Sequence, residues 1–265
     1  MSQHRPTNLQ QDGTRLRLLS YNVQVAIAAN RPHHYLTYSW KHLLPHAQIF
    51  ENMDKIADLV REFDIVGLQE VDGGSLRTGF INQTAYLADK AQFPHWFDQT
   101  NRRIGRLARH SNGLLSKFSP NQIMEHKLPG RVPGRGAMAI EYGDPSNPLL
   151  IVLLHLALSK RARAIQLGYV NQLIRDYEHV VVMGDMNCTP GSGELSTLLN
   201  GTTLRPPVDG LHTFPSWKPR VKLDHILVSS SLDIRRIKVL NCQISDHLPI
   251  AVDILLPAGL QLQAA

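Results

Sequence analysis

The sequence predicts a mixed α/β (α+β) fold in which two β-sheets pack face to face beneath covering helices. Two observations lead there. The 265-residue chain alternates many short apolar runs of strand length with only a few amphipathic segments of helix length. Four of those runs also meet polar side chains at one end: residues 16–22 close on Asn22, residues 64–70 on Glu70, residues 180–187 on Asp185 and Asn187, and residues 244–250 open with Asp246 and His247. Packing alone does not explain strands that deliver such groups toward one rim, so chemistry is expected at strand ends.

Taken in order, residues 15–21 read as a strand. Residues 46–62 carry Ile49, Met53, Ile56, Leu59 and Val60 at helical spacing, residues 64–69 form a buried strand, and residues 82–91 a short helix. Residues 93–98 and 112–117 are strands among polar turns. Strands at 137–142 and 149–156 are joined by Gly143-Asp-Pro-Ser-Asn-Pro148, a strong turn signal. Residues 160–177 read as a helix whose apolar stripe is Ile165, Tyr169, Leu173 and Ile174. A strand at 179–184, a short helix around 192–199 and strands near 223–229, 234–241 and 248–255 follow. No repeat or low-complexity segment interrupts the pattern, so residues 15–257 are read as a single domain, with a flexible polar arm at 1–14 and a tail at 258–265.

Composition bounds the function. With 43% apolar residues the chain can build a substantial core. Its longest apolar run, residues 149–158, contains His155 and is too short to cross a bilayer. The polar N-terminus lacks an apolar segment of the signal-peptide kind, so a cytoplasmic monomer without stable membrane insertion is expected. Two cysteines cannot build a disulfide framework or a zinc cluster, and Cys188 reads as a small buried thiol. Lys and Arg number 28 against 22 Asp and Glu, a net charge of +6. If the site is acidic, the surface around it must be correspondingly basic, which suits a polyanionic substrate or an anionic membrane surface. The cations come in groups: Arg102, Arg103, Arg106 and Arg109; Lys160, Arg161 and Arg163; Lys218, Arg220 and Lys222; Arg235, Arg236 and Lys238. Any one group alone also reads as a solvated face.

The rim residues can be given roles from their chemistry. Mg2+ or Mn2+ prefers oxygen ligands, and Asn22, Glu70 and Asp246 are the donors best placed to supply them. No HExxH or CxxC spacing argues for zinc. Hydrolysis of a phosphodiester needs its oxygens neutralised, a water deprotonated and the leaving oxygen helped away. His247 is the base or electrostatic partner, with Asp224 holding its imidazole in one tautomer. Asp185 and Asn187, two apart, are expected on one face, where they would orient the attacking water and bind a phosphoryl oxygen. His155 interrupts an apolar strand, where a lone histidine is more often a satisfied core residue; near a strand end and among the other rim groups it is read as a donor to a phosphoryl oxygen. His212 and His225 are read as structural. Arg135, Arg102, Arg103, Arg106 and Arg163 are the expected substrate-phosphate contacts.

Asn22 after a strand, Leu68-Gln-Glu70, the His155 strand, Gly184-Asp-Met-Asn187, Leu223-Asp-His225 and Ser245-Asp-His247 occur in the order found in the endonuclease/exonuclease/phosphatase superfamily, which the chain resembles over about residues 15 to 256. The resemblance implies a four-layer α/β/β/α sandwich with two central mixed, mainly antiparallel sheets and a Mg2+-dependent (or Mn2+-dependent) site at strand ends. Residue by residue it implies metal binding by Asn22, Glu70 and Asp246, phosphate or water orientation by Asp185 and Asn187, and a His247–Asp224 pair. His155 matches the branch containing DNase I, sphingomyelinases and inositol polyphosphate phosphatases. Abasic-site endonucleases usually lack it, and Gln24 stands where many of them carry a carboxylate. Residues 68–77 and 82–87 look like a bacterial subgroup of that superfamily.

One scaffold hosts several phosphoester chemistries. The first expectation is a metal-dependent nuclease with DNA as substrate, supported by the net charge and the Arg102–Arg109 group. The alternative is a phosphodiesterase or phosphatase acting on a phospholipid head group or small phosphate ester, which would favour an exposed apolar loop beside the site; residues 211–217 are the candidate. A catalytically dead binding module is disfavoured by the intact set from Asn22 to His247.

Overall fold

A computed structural model describes residues 13–26, 47–130, 134–205 and 210–264. Eleven strands among them form two sheets. The first has the order β10 (Asp233–Val239), β11 (Ile250–Leu255), β1 (Arg15–Asn22), β2 (Ile65–Asp72), β4 (Ala108–Ser116), β3 (His95–Ile104). The second runs β5 (Gln122–Lys127), β6 (Gly136–Tyr142), β7 (Leu149–His155), β8 (His179–Asp185), β9 (Asp224–Val228). Each sheet holds one parallel pair, β1 with β2 and β7 with β8, and every other pair is antiparallel. The two sheets are therefore mixed and mainly antiparallel, as expected.

Period-two alternation sorts side chains between layers. On β1, Leu16 and Leu18 join the inter-sheet core, where they meet Leu153, Val181 and Met183 from the second sheet. Leu19 and Tyr21 face the other way, into a cluster with α1 (Ala47–Val60) and α2 (Gln83–Ala91). The outer face of the second sheet buries Val152, Leu154 and Val182 against α3 (Lys160–Ile174) and α4 (Gly193–Asn200). Four layers result. Strands β7 and β8 are buried along their whole length because helices cover one face and a sheet the other. Each fully buried Leu or Ile in these clusters contributes about 1.5–3 kcal/mol.

Caps fix where the helices that border the site begin. Asn82 accepts hydrogen bonds from the Thr84 and Ala85 amides at the start of α2, and Ser159 accepts from Ala162 at the start of α3.

One backbone position ties β7 to β8 beside the rim. Gly184 has φ +147°, and a Cβ there would run into the Leu154 carbonyl oxygen of the neighbouring strand. Gly184→Ala is therefore expected to destabilise the fold by about 3 kcal/mol or more, read from urea unfolding midpoints. An unchanged midpoint would show that the two strands can separate without cost.

Several elements differ from the sequence expectation. β5 was not foreseen: only Ile123 and Met124 of this edge strand pack against the core, and the rest of its side chains are polar. β3 and β4 run longer than expected, so Arg102, Arg103 and Arg109 lie on a continuous hairpin and Arg106 at its turn. α3 stops at Ile174, and its buried face is Gln166, Leu167, Val170 and Ile174; Ile165, placed in the apolar stripe by spacing, is 50% exposed. In the C-terminal segment Leu260 is buried, and the Ser119 amide donates to the Gln263 carbonyl. No described helix is long and apolar enough to cross a membrane.

Candidate active site

Six strands build the rim. Parallel pairing makes β1 and β2 release Asn22 and Glu70 on the same side, and β7 and β8 do the same for His155 and Asp185. The antiparallel neighbours enter from that side. Asp224 thereby opens β9 in register with Asp185, and Asp246 and His247 immediately precede β11.

Asp185 is the centre of the arrangement. Its Oδ2 accepts from Asn22 Nδ2 at 3.1 Å and lies 3.4 Å from His155 Nε2 and 3.9 Å from His247 Nε2. Its Oδ1 accepts from the Asn187 amide at 2.9 Å. Asn187 has φ +51° and donates Nδ2 to the Leu156 carbonyl at 3.0 Å, so its amide is fixed by a left-handed turn beyond the strand rather than by strand alternation. His247 donates Nδ1–H to Asp224 Oδ2 at 2.8 Å, which sets the tautomer and turns Nε2 toward Asp185.

A brace beneath His247 comes from residues 213–216. Thr213 Oγ1 accepts from the Asp224 amide at 3.3 Å, Ser216 Oγ donates to the Ser245 carbonyl at 2.6 Å, and the Phe214 ring lies 4.9 Å from the imidazole. The 211–217 stretch, expected as an exposed apolar loop, thus turns its Phe214 inward against the site.

Burial holds the Asp185 carboxyl above the ordinary carboxylate range; Asp224 and Glu70 add to the push and His247 opposes it. Burial works against a charged His247, yet Asp224, Asp185 and Asp246 outweigh it and raise the imidazole. His155 is held well below its usual range by burial, reinforced by Arg135. Arg135 Nη1 stands 2.6 Å from His155 Nε2. A guanidinium can only donate, so Nε2 is the acceptor and the ring is neutral. The pair presents Arg135 as the cationic donor facing Glu70 and Asp185.

The donor set fits a hard divalent cation. Glu70 sits in a bulge of β2 between Leu68 and Val71 with φ +58°, which turns its side chain out of the ladder. Burial and the neighbouring Asp246 push its carboxyl upward, while His247 and Asn22 offset part of that. Two carboxylates and an amide oxygen brought together at a buried rim are the ligands Mg2+ or Mn2+ takes. Asp185, Asp224 and His247 also place ligand atoms within 4.8 Å of one another. There the His247 Nδ1 and Asp224 Oδ2 are already engaged in an N–H···O bond, whereas Asn22, Glu70 and Asp246 keep oxygen donors for a cation.

The remaining sequence candidates separate. Arg102, on β3, and Arg135 line a cavity of about 590 Å³ that opens at Glu70 and His155. Arg103 pairs with Arg109 across the hairpin, and Arg106 lies over the Phe80 ring at 5.7 Å. Arg163 is engaged by Glu194 Oε1 at 2.7 Å and by the Leu158 carbonyl, which joins α3 to α4. These three do not line the cavity. His225 faces away from Asp224 and bonds the Cys188 carbonyl at 2.8 Å, a structural role as expected.

Sequence reasoning missed the other cavity residues, Asn101, His110, Asn112, Leu158 and Arg161 among them. It also missed Asp72. This fully buried carboxylate takes Arg77 Nε at 2.5 Å, Ser75 Oγ at 2.7 Å and the Arg109 amide at 3.2 Å, and so ties the hairpin to the end of β2 that carries Glu70. The string Asp72-Gly-Gly-Ser-Leu-Arg77 was the available signal, since a carboxylate followed by turn residues and a cation can close on itself.

A family model described as Endonuclease/Exonuclease/phosphatase family matches residues 19–247. Among solved structures, an endonuclease/exonuclease/phosphatase from Beutenbergia cavernae shares 17% identity with a TM-score of 0.72, covering 92% of this chain and 72% of that one. The mannosyl-6-phosphatase Bt3783 of Bacteroides thetaiotaomicron shares 20% identity with a TM-score of 0.66, covering 91% and 100%. Beta toxin from Staphylococcus aureus shares 15% identity with a TM-score of 0.64, covering 89% and 99%. No curated protein sequence matches the chain.

Proposed function

Because this chain belongs to the endonuclease/exonuclease/phosphatase family, we propose that it is a divalent-metal-dependent phosphoester hydrolase whose substrate is a small phosphate ester. The observation that carries the choice of substrate is the cavity: Glu70, Arg135 and His155 are part of its lining, and its volume suits a small molecule. A sugar phosphatase among the solved structures of the same fold agrees with it.

In this reading Asn22, Glu70 and Asp246 hold the cation, which when bound supplies positive charge against the phosphoryl oxygens and makes a water more acidic. The chain's own groups do the rest. Asp185, its carboxyl poised by burial, orients and deprotonates the attacking water. Charged His247, steadied by Asp224, faces the charge that develops on the phosphoryl group. Arg135, aligned by His155, donates to a phosphoryl oxygen. Asn187 fixes Asp185 through its amide.

A DNA nuclease is the second reading, favoured by the net charge of +6 and by Arg103 and Arg106, which stay outside the cavity on the hairpin and its turn. The test compares hexose monophosphates, bis-p-nitrophenyl phosphate and supercoiled plasmid under Mg2+, Mn2+ or EDTA. Metal-dependent turnover of the small esters, at least about a hundredfold above the EDTA rate, is expected. Nicked plasmid with intact small esters would replace this reading by the nuclease.

A further inference from the structure

The cavity continues beyond the rim, between the β3–β4 hairpin and the start of α3. We propose that this outer part is a subsite for a second phosphate group of the substrate, carried next to a hydroxyl, so that the preferred substrate is a doubly phosphorylated polyol or sugar. The proposal rests on the hydrolase reading and adds the substrate class.

Charge is the first argument. Arg102, Arg135 and Arg161 all line the cavity, and Glu70, assigned to the cation, is the single carboxylate among the described lining residues. Arg102 and Arg161 are in no ion pair among the described residues, whereas Arg163, two positions along the same helix as Arg161, is neutralised by Glu194. Arg135 belongs to the reacting end through its contact with His155. Two cations are thereby left for a second anion.

The other arguments are independent of those cations. The first turn of the 15-residue helix α3 forms part of the wall through Ser159, Arg161 and Ala162, so the positive end of its dipole adjoins the cavity. Asn112, fully buried on β4, lines it as well. Its Nδ2 donates to the Gly136 carbonyl at 3.1 Å, while its Oδ1 is buried with no hydrogen-bond partner. A buried acceptor without a donor is costly, and a hydroxyl on the substrate supplies the donor. Leu158, 74% exposed, and Ile165 give the lip an apolar surface for a carbon skeleton. His110 pairs with Arg102 across the hairpin. Burial, with Arg77, Arg102 and Arg135, keeps its imidazole down at about 4, so it is a neutral hydrogen-bonding group at neutral pH.

The experiment has two arms. Inorganic phosphate is titrated calorimetrically into metal-free protein in EDTA, where the acidic rim repels anions and binding reports the outer subsite. The double variant Arg102→Ala/Arg161→Ala, which removes two exposed side chains, is expected to bind at least about tenfold more weakly with an unchanged melting temperature. In the second arm, phosphate release is followed with Mg2+ from glucose 1,6-bisphosphate and from glucose 1-phosphate. Wild type is expected to favour the bisphosphate at least about tenfold in kcat/KM through KM, and the double variant to lose that preference. Arg235→Ala, on β10 and ion-paired with Asp233, serves as the control that changes neither arm. Phosphate binding equal in wild type and double variant, or an equal substrate preference in the two, overturns the subsite. If neither ester is hydrolysed while phosphate binding is lost in the variant, the hydrolase reading falls and the anion subsite stands.

Discussion

Replacing Asp185 by Asn is expected to lower kcat by about a hundredfold or more while the unfolding midpoint stays level or rises. The reasoning begins with burial: the carboxyl is 2% exposed and already held above the ordinary carboxylate range, so the fold bears a desolvation cost for keeping it. An amide of the same shape relieves that cost. It also cannot take a proton from water, and its nitrogen would face Asn22 Nδ2 or the Asn187 amide, donor against donor. Activity and stability should therefore move in opposite directions, as they do where function keeps a strained group in place. His247→Gln should cost a similar factor, and the double variant little more than either single one, because the two side chains face each other at 3.9 Å and act as a unit. Near-wild-type turnover by pure Asp185→Asn protein would remove the site assignment.

The second large effect concerns the cation. Glu70→Gln should raise the Mg2+ concentration needed for half-maximal activity by at least about a hundredfold, and calorimetry should show the same loss in direct metal binding. Glu70 is set apart from Asp185, Asp224 and His247 by its place in the β2 bulge, and it shares Asn22 and Asp246 as neighbours. Asp224→Asn makes the decisive comparison. If the ion sits among Asn22, Glu70 and Asp246, that variant keeps metal affinity and loses turnover, because it disturbs only the His247 tautomer. If the ion instead takes Asp185, Asp224 and His247, the affinities reverse.

The central strands were legible in the amino-acid sequence for a plain reason. β1, β2, β7 and β8 are buried on both faces, so each appears as an apolar run whose end is marked by a polar group. His155 could be lifted out of the core reading only because three neighbouring runs ended in the same way. β5 carried no such mark, since an edge strand with one covered face and polar side chains resembles a loop. The cavity was equally hidden. Beyond Glu70 and His155 its walls come from residues 101–102 and 110–112, from Gly130, Gly134 and Arg135, and from residues 157–159, 161–162 and 165–166, and each of these segments taken alone looks like a solvated turn or helix start. Asn112 gives no sign in one dimension that its carbonyl oxygen is sealed away without a donor. The arginines were recognised as a class, but which of them line the cavity depended on hairpin register and on Glu194, a partner 31 residues from Arg163.

The position of β11 between β1 and β10 has a consequence for how the enzyme comes into being. β1 leaves the ribosome more than 200 residues ahead of its partner β11, and Asp246 and His247 lie just ahead of β11. Until residues near 255 have been made, β1 lacks one partner and the rim lacks the strand that holds Asp246 and His247 in place. Hydrolysis by a nascent chain is therefore expected only after β11 has been made and has paired with β1 and β10, a long-range contact that forms late in folding.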